Sequence, residues 1–153
     1  MTTIVYALKP LDAPEADRLR AAGGRSYIAD SKPGYPCRVC LRDAEVGEEL
    51  LLVSHDPFVA DSPYRSASPI FIHSAPCDPE PGVSSSTLPT QLTLRQLSVR
   101  AFDDEAMMID AAVIDGTELD VTLCSMFADD AVTTVHVHNA VRGCWATNVV
   151  RAS

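Results

Sequence analysis

The stretch from Gly34 to Asp43, Gly-Tyr-Pro-Cys-Arg-Val-Cys-Leu-Arg-Asp, constrains the fold of this chain more than any other. Pro33 and Pro36 each remove a backbone donor and fix φ, and each disfavours helix in the residue before it. The segment therefore reads as loop or tight turn, and it carries Cys37 and Cys40 at Cys-x-x-Cys spacing beside Arg38 and Arg42. A second knot at residues 69–77 contains His73 and Cys77, and a third at 136–144 contains His136, His138, Asn139, Arg142 and Cys144. The chain's chemically distinctive side chains concentrate in these three places.

The whole sequence, 153 residues and 46% apolar, is enough for one domain over 1–153 that buries about two-thirds of its unfolded surface. Its net charge of −9, from 21 acidic against 12 basic residues, repels phosphate backbones and anionic lipid, so neither nucleic acid nor membrane is an expected partner. No apolar run approaches the roughly 20 residues that span a bilayer. The N-terminal segment has no basic region ahead of its short apolar run, so no signal peptide is expected. The five cysteines are then expected as thiols in a reducing cytoplasm, available as metal ligands, nucleophiles or core residues.

Local patterns give the elements. Ile4 to Leu8 reads as a strand. Asp12 caps a helix over about 12–23, with Glu15 at capping-box spacing, Ala16, Leu19 and Ala22 as its apolar stripe, and Gly23-Gly24 as its end. The run 49–54 is apolar on both faces, as a central strand is. A long loop with Pro57 and Pro63 follows, then a strand at 69–73, and a Pro/Gly/Ser-rich segment at 76–86 that reads as a disordered insertion. Residues 97–103 and 107–114 read as strands. A helix opens near Asp115, capped by Thr117, and buries Leu119, Leu123, Met126 and Phe127 before stopping ahead of Asp129 and Asp130. Residues 132–138 and 144–150 are two further strands. This order predicts an α+β domain, a mainly antiparallel sheet with two helices packed on one face.

Three chemistries fit the cysteines. Cys37, Cys40, His73 and Cys77 make a tetrahedral zinc set if the two knots meet. Cys37 and Cys40 alone make a dithiol redox pair, although the helix start and βαβ context of such a site are missing. Packing of unreactive thiols under a stiff loop is the plainest alternative. His136 and His138 alternate on a strand with Thr134, their imidazoles about 7 Å apart on one face, a metal-binding spacing that is equally an ordinary wet face, while Val135 and Val137 point to the core.

The sequence resembles the DUF1203 family of proteins of unknown function. The likeness rests on Tyr35-Pro36-Cys37-Arg38-Val39-Cys40-Leu41-Arg42-Asp43-Ala44 with Gly47-Glu48, on residues 69–73 with Cys77, on residues 99–103, and on Asn139 with Arg142-Gly143-Cys144. It covers nearly the whole chain from Tyr6 to Arg151 and implies a single-domain cytoplasmic bacterial protein, with no catalytic residues supplied. One departure is Ser68, where the family's pattern commonly has glycine before Pro-Ile-Phe.

The leading functional expectation is a binding module, or an enzyme of unassigned reaction, whose pocket of Arg38, Cys40, Arg42, His73 and Asn139 takes a small anion through bidentate arginines. The zinc domain is one alternative, and a protein-interaction domain without a small-molecule site is the other. The three knots are expected to meet. An arginine of the 35–42 loop would then lie beside His73, form a positive notch and depress the imidazole pKa.

Overall fold

The computed structural model describes residues 5–79 and 87–152. The first strand's Ile4, and positions 80–86 of the segment read as an insertion, lie outside the described residues. Two antiparallel sheets are formed. The larger has the order β1 (Tyr6–Lys9), β8 (Trp145–Arg151), β7 (Thr134–Asn139), β5 (Gln96–Phe102) and β6 (Met108–Asp115). The smaller has the order β2 (Arg25–Ile28), β3 (Glu49–His55) and β4 (Ser68–His73). Every strand pair in both sheets is antiparallel, in agreement with the α+β antiparallel reading.

The helices form where the caps direct. Asp12 accepts a hydrogen bond from the Glu15 backbone at 2.9 Å to open α1 (Ala13–Ala22), and Gly23, at φ 82°, takes the left-handed conformation that ends it. Glu15 turns outward to pair with Arg18, so the capping box is half made. Ala16 and Leu19 are buried, whereas Ala22 is exposed. At the second helix the cap is Asp115 rather than Thr117: its carboxylate accepts from both the backbone N–H and the hydroxyl of Thr117. A 3₁₀ turn (Gly116–Glu118) then leads into α3 (Leu119–Phe127), which buries Leu119, Leu123, Met126 and Phe127. A one-turn helix, α2 (Thr90–Thr93), precedes β5.

The two long helices serve different cores. One core lies between α3 and the larger sheet, where Leu97, Val99, Val135 and Val137 meet Leu119 and Leu123. The other gathers Ala16 and Leu19 of α1 against Leu50, Ile70 and Ile72 of the smaller sheet and against Cys37 and Cys40. Each fully buried aliphatic side chain contributes about 1.5–3 kcal/mol. Trp145 begins β8 in the larger sheet, yet its side chain belongs to the second core, so this residue fastens the two layers together.

The 34–43 loop occupies the seam. It is a small hairpin closed by a bridge between Pro36 and Asp43 and by the Cys37 N–H to Arg42 carbonyl bond at 3.0 Å. Leu41 turns its corner at φ 59°, an unfavourable conformation for a branched residue, held by burial of its side chain. Cys37 bridges to Phe71 of β4, and the Arg38 N–H donates to the Phe71 carbonyl at 3.0 Å. The loop is in effect a short extra strand on the edge of the smaller sheet.

Candidate metal centre and an adjoining cavity

Cys37 sits at the bridge to Phe71 and Arg38 opens the turn that follows, and the two side chains reach different neighbours. The cysteine side faces β4. Cys37 Sγ lies 3.7 Å from Cys77 Sγ, and Cys40 Sγ lies 3.5 Å from His73 Nδ1. The ligand atoms of Cys37, Cys40, His73 and Cys77 all fall within 4.8 Å of one another, a cluster that can hold a metal ion. Cys37, Cys40 and His73 are buried and Cys77 half-buried, and no cysteine in the chain is in a disulfide.

A shell of fixed groups surrounds the cluster. The His73 backbone N–H donates to Cys37 Sγ at 3.3 Å, and Gln91 Nε2 donates to the Cys37 carbonyl at 3.1 Å. Arg20, on the last turn of α1, donates from Nε to the His73 carbonyl at 2.9 Å and from Nη2 toward Cys77 Sγ at 3.7 Å. Glu48 Oε1 sits 3.1 Å from His73 Nε2 and also accepts from the Glu45 backbone at 2.7 Å. That backbone bond, followed by His73, holds the Glu48 carboxyl below its ordinary range, and the nearby Arg42 charge adds to the effect.

The cluster's protons are shared unevenly. Hydrogen bonds from Cys40, then Cys77, push the Cys37 thiol far down, while Cys77 beside it is pushed far up by Cys37 and then Cys40. The same sulfurs, Cys37 first and Cys40 next, raise His73 to about 10. This reverses the expected depression, because His73 faces sulfur and carboxylate rather than an arginine.

The arginine side of the hairpin faces the ends of β7 and β8. Arg38 is fully buried and donates from Nε to the Trp145 carbonyl at 2.8 Å, from Nη1 to the Pro36 carbonyl at 2.5 Å and from Nη2 to Cys144 Sγ at 2.9 Å. Asn139 points its amide nitrogen toward the same sulfur at 4.0 Å. Arg95 makes a two-pronged pair with Asp43, at 3.0 and 2.6 Å. A cavity of about 830 Å³ opens here between Tyr27, Tyr35 and Phe71 on one wall and Asn139, Arg142 and Cys144 on the other.

The three knots therefore do meet, through opposite faces of one loop. Cys40 and His73 are brought together on the thiol face, Arg38 and Asn139 on the cavity face, and Arg42 is exposed near Glu48. Ser68 starts β4 opposite His55 and is buried there.

His136 and His138 are placed differently from the expectation of a wet face: both are buried. The long loop after β3 folds Phe58 over His136 with ring centroids 4.7 Å apart, and Phe102 adds a second ring at 4.7 Å. His138 is turned to the Gly143 carbonyl at 3.0 Å, past an irregularity in pairing between Val137 and His138. Burial lowers both imidazoles to about 4. They are neutral packing groups. Sequence reasoning gave no role to Glu48, Arg20 or Cys144; Glu48 and Cys144 stood inside the family-like Gly47-Glu48 and Arg142-Gly143-Cys144 runs, whereas Arg20, far in the chain from His73 and Cys77, carried no signal.

Fold and site together define an antiparallel α+β domain with a Cys₃His cluster in its seam. The family model for proteins of unknown function DUF1203 matches residues 34–151, the segment that carries the whole cluster and all of the cavity's lining except Tyr27. The chain belongs to that family. No curated protein and no solved structure gives a significant match.

Proposed function

We propose that this chain is a zinc-stabilised domain in which Cys37, Cys40, His73 and Cys77 hold one ion whose role is structural. The carrying observation is the spacing of the donor atoms. Zinc bonds of about 2.3 Å to sulfur and about 2.0–2.1 Å to nitrogen, arranged tetrahedrally, set sulfurs about 3.8 Å apart and sulfur about 3.6 Å from nitrogen. The 3.7 Å Cys37–Cys77 and 3.5 Å Cys40–His73 separations match those edges.

Four protein donors leave no open coordination position, which favours scaffolding over hydrolytic chemistry. Mixed thiolate and imidazole donors favour zinc over magnesium or calcium. Glu48 on the outer ring nitrogen supports the reading, because histidine ligands are commonly fixed by a carboxylate on their other nitrogen. Three thiolates on a divalent ion leave one negative charge, and Arg20 is placed to offset it. The ion would tie the hairpin to β4 and to the chain beyond it, and a reducing compartment such as the cytoplasm suits thiols kept for a metal. No helix among the described residues is long and apolar enough to cross a membrane.

Cobalt substitution tests the donor set. Cobalt(II) bound by three thiolates and one imidazole gives intense sulfur-to-metal charge-transfer bands and the visible absorption of a tetrahedral ion. A clear drop in charge-transfer intensity in Cys77→Ser supports the reading. A weak octahedral spectrum, unchanged by that substitution, contradicts it.

A further inference from the structure

The cavity beside Arg38 has the wrong electrostatics for a protein of this composition. With a net charge of −9, an average depression on its surface should be acidic. Its lining instead includes Arg38, Arg95 and Arg142 and, among the described residues, no aspartate or glutamate. Two acids adjoin it: Asp43, both of whose oxygens Arg95 occupies, and Asp30, which accepts from the Tyr35 hydroxyl at 3.0 Å.

Arg38 is the more unusual of the three. It is 1% exposed, and buried charges are normally matched by an opposite charge. Its partners are two backbone carbonyls and the sulfur of Cys144, with no carboxylate among the described residues. Arg142, exposed on the connection between β7 and β8, makes no hydrogen bond or ion pair among the described residues. Asn139, only 8% exposed on the same wall, has a side-chain oxygen with no donor.

The opposite wall is aromatic. Phe71 makes an edge contact with Tyr27 at 5.6 Å between centroids and packs against Tyr35 at 5.3 Å. A cleft with a cationic end, an amide and an aromatic wall, about 830 Å³ in volume, has the size and composition of a small-molecule site.

We infer that this cavity binds a small organic carboxylate with a flat apolar body, its carboxylate held by Arg142 at the end that the buried charge of Arg38 makes cationic and its body against Phe71 and Tyr35. The site is separate from the Cys₃His centre and does not depend on the metal reading, since Cys144 is not among the four donors of that cluster.

The test uses benzoate, its neutral isostere benzamide and inorganic phosphate, each titrated to millimolar concentration into the isotope-labelled full-length chain and followed by amide NMR. Benzoate is expected to shift the signals of Phe71, Asn139, Arg142 and Cys144 and to saturate, while benzamide leaves them in place and phosphate binds more weakly. Arg142→Gln, at an exposed position outside both cores, should keep the remaining spectrum and weaken benzoate about tenfold, the loss of one charged hydrogen-bond partner. Absence of benzoate shifts at these residues overturns the site. Benzamide binding equal to benzoate, or an unchanged benzoate affinity in Arg142→Gln, overturns the cationic end, and phosphate binding as tight as benzoate overturns the aromatic wall.

Discussion

Glu48 Oε1 lies 3.1 Å from His73 Nε2, on the side of the imidazole opposite Cys40. A proton on Nε2 then leaves the Nδ1 lone pair directed at the thiol cluster, which fixes the tautomer a metal needs. Glu48→Ala removes that constraint without touching a donor atom. Metal affinity is expected to fall by about 10–100-fold in competition with a chelator. An unchanged affinity would mean that β4 alone orients the ring.

Arg38 ties the hairpin to β8 through a fork that lysine cannot imitate. An ammonium replaces three separately directed donors by one point charge, so the carbonyls of Pro36 and Trp145 cannot both keep their partner. Arg38→Lys should cost about 2–3 kcal/mol in denaturant unfolding, from unsatisfied buried acceptors. A change below about 0.5 kcal/mol, the range of ordinary surface substitutions, contradicts this role.

The two buried histidines set an acid limit. In the unfolded chain each takes up a proton near its ordinary 6.5, whereas in the fold each resists until about 4. The unfolded state therefore binds more protons between those values, and stability falls as pH drops from about 6.5 toward 4. Each histidine accounts for up to about 3 kcal/mol over that window. His136 is faced by Phe58, Phe102, His138, Arg100 and Asp56, and His138 by Arg100, Arg38 and the Gly143 carbonyl. Thermal midpoints measured across the window should decline steeply in the parent and less steeply in His136→Gln with His138→Gln. Parallel declines in both proteins would assign the acid sensitivity elsewhere.

The parts of this account that were legible in the sequence are those set by short-range chemistry. Asp12 and Gly23 bounded a helix, the spacing of Leu119, Leu123, Met126 and Phe127 marked another, and the doubly apolar run of β3 identified the centre of the smaller sheet. The pairing of Cys37 and Cys40 with His73 and Cys77 was also within reach, because four soft donors in two stiff turns leave few other partners. The division into two sheets was not, since β2 is a four-residue strand just after Gly23-Gly24 and has no strong alternation. The split of the expected pocket arises because the chain turns at Arg38, directly after the bridge at Cys37, so that the two neighbours reach different partners: Cys77 for Cys37, and Trp145 and Cys144 for Arg38. The wet-face reading of His136 failed because its cover, Phe58, comes from a loop nearly eighty positions earlier in the chain, and periodicity carries no record of that contact.

The central claim is a stoichiometry. Elemental analysis of the full-length chain, purified without chelator and with its thiols kept reduced, measures it directly. The account expects about one zinc per chain, lost in Cys40→Ser and retained in Cys124→Ser, whose thiol lies outside the cluster. Less than about a tenth of an equivalent, before and after incubation with zinc, would contradict it.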